Sequence, residues 1–219
     1  MVAAYPYVYV LMRLGISAIP LLLWGTIISR VLVVHVVVAT CFLFVWCLFM
    51  RIGDIKTHDV ANGPGIRCSV FVTGCTHKCS GCFNVELQDR GAGHEYSARD
   101  EHLIMETLGK SYISGLTLLG GEPMQNVEGL IPLVRNVRER YGNSISIWCY
   151  SGYVFEHIRH IRGMKALCDM CDVLVDGKYV EELASPMLEW RGSRNQRIID
   201  IPTTLQTHNI HLWNNGDYK

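Results

Sequence analysis

Strand-like and helix-like stretches alternate along residues 67–179, and this alternation limits what the chain can fold into more than any other feature. β-Branched and aromatic residues predict the strands, and apolar residues at helical spacing predict the helices. The predicted strands lie within residues 67–73, 115–123, 144–149 and 171–179. The second of them is stopped by Gly120 and Gly121. Strands joined by helices of this length form βαβ units, so the sequence predicts an α/β fold with a parallel sheet.

The helices between these strands have recognisable ends. Ser97 and Asp100 have the spacing of a capping box and predict the start of a helix. A second helix is predicted from Val127 to Tyr141, with Gly142 as its C-cap. Two shorter helices are predicted at about 154–162 and at 164–171.

An unusual turn follows each of the four predicted strands. The turns are the cysteine loop at 74–84, then Gly120-Gly121-Glu122, Tyr150-Ser151-Gly152 and Asp176-Gly177-Lys178. The carboxyl ends of parallel strands lie at one edge of a sheet, and in α/β barrels this edge carries the active site. We therefore expect the four turns to contribute to one site.

The cysteine loop contains Cys75, Cys79 and Cys82. A structural zinc site usually has four ligands, and His77 inside the loop or Cys68 before it could supply the fourth. A [4Fe–4S] cluster is usually held by thiolates, and three thiolates leave one iron free to bind another molecule. The nine cysteines of the chain are clustered, which favours metal-binding thiolates in a reducing compartment over a disulfide framework.

Charge is distributed unevenly along the chain. Lys plus Arg and Asp plus Glu both number 20, so the overall charge gives no reason to expect a nucleic-acid partner. Residues 1–49 contain only Arg13 and Arg30 as charged residues, and residues 31–50 are about long enough to cross a bilayer as a helix. Two interpretations remain open: residues 1–49 form a hydrophobic, transmembrane-like helical segment, or translation starts at Met50 and residues 50–219 form the functional domain.

Two motifs identify a known superfamily. The spacing Cys75-x-x-x-Cys79-x-x-Cys82 resembles the signature of the radical S-adenosylmethionine (SAM) enzymes, and Gly120-Gly121-Glu122-Pro123 resembles their second motif. The stretches NGPGIR, CFN, DVLVDGKY and WRGSRNQRII narrow the resemblance to activating proteins of anaerobic ribonucleoside-triphosphate reductases. The resemblance covers residues 50 to about 200. Two parts of the chain depart from the family pattern. Gly81 stands where many radical SAM enzymes have an aromatic residue before the third cysteine, and residues 1–49 have no counterpart in the family.

The resemblance implies a fold, two cofactors and a reaction. The fold is an incomplete TIM-type barrel of parallel strands with outer helices, as in radical SAM enzymes. The implied cofactors are a [4Fe–4S] cluster and SAM. Cys75, Cys79 and Cys82 are the implied cluster ligands, and the implied SAM-binding residues are Gly120, Gly121, Glu122, Asn84 and Ser151. Reductive cleavage of SAM then generates a glycyl radical on a partner protein.

The implied partners are an anaerobic ribonucleoside-triphosphate reductase and an electron donor of the flavodoxin or ferredoxin type. The implied compartment is the cytoplasm, with a membrane anchor only if residues 1–49 are expressed. Two alternatives stay open: an activase of another glycyl-radical enzyme, such as pyruvate formate-lyase, and a membrane-tethered iron–sulfur electron carrier without catalysis.

Several single residues allow two interpretations. Ser151 contacts SAM or stabilises a turn, and Asp176 faces the site or caps a turn. Cys168 and Cys171 are expected to be buried structural residues rather than redox-active, and His77 and His94 are expected to face solvent. A last group forms either a solvated face or a partner contact: Arg191, Arg194 and Arg197.

Overall fold

Seven strands form one sheet in the computed structural model, which describes residues 50–214. The strands are β1 (Arg51–Asp59), β2 (Ile66–Val72), β3 (His94–Glu95), β4 (Ile113–Gly120), β5 (Ser146–Ser151), β6 (Val173–Asp176) and β7 (Arg197–Asp200). Their order across the sheet is β3-β1-β2-β4-β5-β6-β7. This part of the chain is therefore a mixed α/β protein, and its sheet has two ends, at β3 and β7.

The four central strands, β2, β4, β5 and β6, run parallel to one another, as the sequence predicts. Their apolar side chains, among them Leu118 and Ile147, are fully buried because helices follow the strands as crossovers. The register pairs Val72 with Gly120 and Ser151 with Asp176. The turns that follow these strands consequently begin at the same edge of the sheet.

The three outer strands differ from the all-parallel sheet expected from the sequence. Strand β1 is antiparallel to β2, β3 is antiparallel to β1, and β7 is antiparallel to β6. None of the three carries the continuous apolar run by which the central strands were predicted. The sequence of β1, RIGDIKTHD, alternates between half-buried and exposed residues over most of its length, as is usual where one face of a sheet meets solvent.

Five α-helices lie within the described residues: α1 (Ala98–Leu108), α2 (Val127–Tyr141), α3 (Phe155–His160), α4 (Arg162–Cys168) and α5 (Ile201–Thr207). Helix α1 begins with the predicted capping box between Ser97 and Asp100. Helix α2 has the predicted limits, and Gly142 ends it with a φ of 57°. Helix α5 was not predicted; the side chain of Asp200 caps it by accepting a hydrogen bond from the N–H of Thr203.

A buried arginine connects the central strands near their amino ends. The guanidinium of Arg67 donates to Thr117 Oγ1 at 2.7 Å, to the Leu116 carbonyl at 2.8 Å and to Ser146 Oγ at 2.9 Å. It also lies over the ring of Trp148, 5.5 Å from the centroid. Arg67 in β2 thereby holds β4 and β5 in register on the side opposite the cysteine loop.

None of the helices within residues 50–214 has the length and apolar character needed to cross a membrane. The hydrophobic segment predicted at residues 1–49 lies outside the described residues.

Candidate iron–sulfur site

The cysteine loop begins where β2 ends. Cys75, Cys79 and Cys82 carry free thiols, are half-buried, and line one cavity of about 720 Å³. The loop turns sharply, with positive φ angles at Gly74 (86°), Lys78 (50°) and Gly81 (65°). Hydrogen bonds from Gly74 N to the Leu87 carbonyl and from Cys75 N to the Gln88 carbonyl hold its start. The predicted ligands are thus brought to one cavity by a loop with a defined path.

The surroundings of Cys75 disfavour its charged form as long as no cation is bound to it. Burial raises the pKa of the Cys75 thiol; the backbone N–H of His77 opposes this shift, and the Glu122 carboxylate adds to it. A thiolate in such surroundings is favoured when a cation binds it. Within residues 50–214, no three Cys, His or carboxylate side chains are gathered closely enough for a single metal ion. In a cluster each thiolate binds a different iron, so what is required is that the three thiols share one cavity.

The glycine turn after β4 packs directly on the cysteine loop. Gly121 N donates to the Val72 carbonyl at 2.7 Å, and Glu122 N donates to the Gly74 carbonyl at 2.9 Å. A Cβ atom on Gly121 would lie 2.7 Å from the carbonyl oxygen of Gly74, closer than real Cβ contacts allow. Gly120, whose φ is 105°, and Gly121 both line the cavity. The glycines therefore let two backbone segments meet at the edge of the site.

Glu122 is buried, and both of its carboxylate oxygens accept hydrogen bonds. Oε1 accepts from Met124 N at 2.9 Å and from Ser151 Oγ at 2.8 Å. Oε2 accepts from Gly152 N at 2.8 Å and lies 3.0 Å from His77 Nε2. A carboxylate has about four acceptor positions, so this set fills them. Glu122 thus joins the cysteine loop to the turns that follow β4 and β5.

Ser151 and Asn84 also line the cavity. The Oγ atom of Ser151 donates to Glu122 and accepts from Tyr153 N at 3.0 Å, so the serine stabilises the turn after β5. Asn84 precedes the short 3₁₀ turn Val85–Gln88, and its side chain makes no capping hydrogen bond there. Its amide therefore remains available to the cavity.

His77 was expected to face solvent, and this is wrong. Only 7% of its side chain is exposed. Its ring lies between Glu122 and the ring of Tyr153, with the two ring centroids 4.4 Å apart. A histidine between cysteine ligands was visible in the sequence, but its partner, 45 residues away, was not. His94, by contrast, is exposed as expected, and it lies 3.0 Å from Asp100.

Asp176, the other residue with two interpretations, caps a helix. Its Oδ2 accepts from Phe155 N at 2.7 Å, and its carboxylate pairs with Arg197. Arg191 lines the cavity, whereas Arg194 is exposed. The three arginines thus have different surroundings: Arg197 forms ion pairs, Arg191 lines the cavity and Arg194 is exposed.

Cys168 and Cys171 are buried, as expected. Both carry free thiols, and burial raises the pKa of Cys168. Cys149 is also buried, and its burial beside the Cys171 thiol raises its pKa. None of the three lines the cavity of the cysteine loop.

The arrangement of the cysteine loop agrees with a class of iron–sulfur proteins. Residues 61–199, which span the loop and the central strands, match the sequence model of the 4Fe-4S single cluster domain family.

Three similar proteins narrow this class of iron–sulfur proteins further. The anaerobic ribonucleoside-triphosphate reductase-activating protein of Vibrio cholerae is 42% identical over 144 residues, which are 64% of this chain and 91% of that protein. The protein of the same name from Enterobacteria phage T4 is 42% identical over 68% of this chain and 93% of its own length. The one from Escherichia coli K12 is 37% identical over 63% and 90%. The chain belongs to this family of reductase-activating proteins.

Proposed function

We propose that the protein cleaves SAM reductively and generates a glycyl radical on an anaerobic ribonucleoside-triphosphate reductase. The observation that carries the proposal is that three thiols of one loop, the glycine turn and Glu122 line the same cavity. When bound, a [4Fe–4S] cluster would supply the electron that breaks a carbon–sulfur bond of SAM, releasing methionine and a 5′-deoxyadenosyl radical that takes a hydrogen atom from the partner's glycine.

In this proposal Cys75, Cys79 and Cys82 hold three irons and leave the fourth for SAM. Backbone groups of Gly120 and Gly121 bind beside it, because these residues have no side chain to keep a ligand away from the main chain. Glu122 would attract a ligand ammonium group through its charge rather than through a free acceptor position, because its oxygens already accept hydrogen bonds from Met124, Ser151 and Gly152. Asn84 and Ser151 add hydrogen-bonding groups to the same wall.

The cavity suits a protein substrate. Its wall includes Phe83, which is 78% exposed, and Leu188, so part of its opening is apolar. The linear strand order fits a partial barrel of the radical SAM type, with one side left open to a loop of a large partner. The relatives are named as activating proteins of a reductase, which supports the reductase as that partner.

We assign the activase to residues 50–219 and the electron to a donor of the flavodoxin or ferredoxin type in the reducing environment of the cytoplasm. Neither assignment depends on residues 1–49.

The test is an anaerobic assay of the full chain. The protein is reconstituted with iron and sulfide, reduced with dithionite and given SAM, and 5′-deoxyadenosine is measured. We expect product from the wild type and none from Cys79→Ala, with Cys68→Ala, whose thiol is buried outside the cavity, as the matched control. Bound cluster without 5′-deoxyadenosine, even with the reductase present, would favour the electron-carrier alternative. Binding of zinc and no cluster would overturn the proposal.

A further inference from the structure

A second part of the chain, remote in sequence from Glu122, also contacts the cysteine loop. Residues 177–192, which we call the cover segment, follow β6 and supply part of the cavity wall, including Tyr179 and Leu188. Ser80 Oγ donates to Glu181 Oε2 at 2.8 Å. The rings of Phe83 and Tyr179 lie 5.2 Å apart between centroids. A hydrogen bond and a ring pair therefore join the loop to the cover segment.

Gly81 shows how closely the two parts approach. A Cβ atom on this residue would lie 2.6 Å from Glu181 Cδ and within 2.9 Å of both carboxylate oxygens. The Glu181 carboxylate thus rests against the main chain between Cys79 and Cys82. Positive φ alone does not produce such a contact: Gly142 has a φ of 57° and open space at its Cβ position. A larger residue at position 81 would displace the carboxylate.

We propose that Glu181 is a positioning residue that couples the cysteine loop to the cover segment. Val180 and Leu183 of the cover segment are held by other contacts, which are hydrogen bonds from Val180 N to Ser193 Oγ and from Arg194 N to the Leu183 carbonyl. Glu181 instead connects the segment to Ser80 of the cysteine loop. A group that orders the cysteine loop must then also order the cover segment, because coupling between two sites is reciprocal.

This inference rests on the proposed function for its consequence. The cover segment carries Leu183 and Met187 with exposed side chains, and the latter is 87% exposed. If the reductase reaches the cavity along this wall, binding of the cluster at the loop prepares the surface that the reductase meets. Glu181 then affects the binding of the reductase more than the rate of the reaction once the reductase is bound.

The first measurement is hydrogen exchange of peptides from the cover segment, in the full chain with and without the reconstituted cluster. In the wild type we expect the cluster to slow exchange at 180–190. Glu181→Ala and Gly81→Ala should both lose this protection, although only one of them changes residue 181. Glu181→Gln, which keeps an acceptor for Ser80, should retain part of it. Glu182→Ala, at the adjacent exposed carboxylate, is the control and should behave as the wild type.

The second measurement is the rate of glycyl-radical formation against reductase concentration. For Glu181→Ala we expect KM for the reductase to rise about fivefold, the effect of losing one exposed charge-assisted hydrogen bond, with kcat changed less than about twofold. Unchanged protection and unchanged KM in Glu181→Ala would overturn the coupling. A wild type that forms no 5′-deoxyadenosine would instead overturn the proposed function, and the exchange measurement would still decide whether the two segments are coupled.

Discussion

The Nε2 atom of His77 lies 3.0 Å from Oε2 of Glu122, so a residue between two candidate cluster ligands is tied to the acid of the glycine turn. Glu181 contacts the same loop through Ser80. The cysteine loop therefore contacts two carboxylates from distant parts of the chain. Glu122 is buried, whereas Glu181 is exposed. Because their burial differs, removal of the Glu122 carboxylate and removal of the Glu181 carboxylate should affect the stability of the loop unequally.

Replacing His77 should remove the contact between the cysteine loop and the Glu122 carboxylate. Because the Glu122 carboxylate is buried, His77→Ala should lower the free energy of unfolding of the apo protein by about 1.5–3 kcal/mol. Iron should also be lost faster to a chelator from the reconstituted protein. Urea unfolding and the decay of visible absorbance measure the two effects. His94→Ala, which removes an exposed histidine, is the control; equal effects of the two substitutions would contradict a special role for His77.

Gly121→Ala should prevent the glycine turn from packing on the cysteine loop. The added methyl group would lie 2.7 Å from Gly74 O and 2.8 Å from Leu87 O, and both atoms belong to the backbone. Overpacking of this kind lowers the free energy of unfolding by about 1–3 kcal/mol, and here it should also displace the cysteine loop. Iron content after reconstitution should fall well below that of the wild type. Gly91→Ala, where the nearest atom to the added methyl group would be Asp89 Oδ1 at 3.4 Å, should retain its iron; loss of iron in both variants would count against a local effect.

Arg67→Lys tests the connection among the central strands. An ammonium group cannot reach all the acceptors that the guanidinium serves, so buried oxygens are left without a donor. We expect the free energy of unfolding to fall by at least about 2 kcal/mol, since each unsatisfied buried acceptor costs about 1–3 kcal/mol. Urea unfolding of the apo protein provides the measurement. Arg135→Lys, on the exposed side of α2, should have almost no effect, and a similar loss there would refute the explanation.

A dependence on pH is expected from Glu156. Hydrogen bonds from Arg197 hold the pKa of Glu156 below its ordinary value of 4.5. A lowered pKa in the folded state means that the pair stabilises the protein above the ordinary pKa and loses this effect as the pH falls through the folded-state value. Because the pair is partly exposed, Glu156→Gln should cost no more than about 1 kcal/mol at pH 7.

This difference between Glu156→Gln and the wild type should shrink as the pH falls below 4.5. Unfolding in urea at neutral and at acidic pH tests it, with Glu182→Gln as the comparison. A difference that stays constant between the two pH values would show that the Arg197 pair does not cause it.

The central sheet could be predicted because its signals are local. The strands at 67–73 and 144–149 are short apolar runs, and each is followed by a turn whose residues differ from ordinary loop residues. Parallel strands place such turns at one edge whatever the details of packing. The cysteine loop, the glycine turn and Ser151 are therefore predicted to be neighbours, and all of them line the cavity.

The outer strands and the contacts of the site depend on information that a local pattern does not contain. The polar alternation of β1 indicates a strand only once β2 is present beside it. His77 and Glu181 are ordinary polar residues until the fold brings them to partners 45 and 101 positions away. Asp176 was ambiguous for the same reason, since both a cavity and a helix start lie close to the end of β6.

The long separation between Ser80 and Glu181 also has a consequence for synthesis of the protein. At about 5–20 residues per second, the ribosome adds the 101 residues from the one after Ser80 up to Glu181 in roughly 5–20 s. During this interval the three thiols have left the ribosome before the residues that cover them. A nascent chain therefore passes through a stage in which its three thiols are made but the part of the cavity wall supplied by residues 177–192 is not.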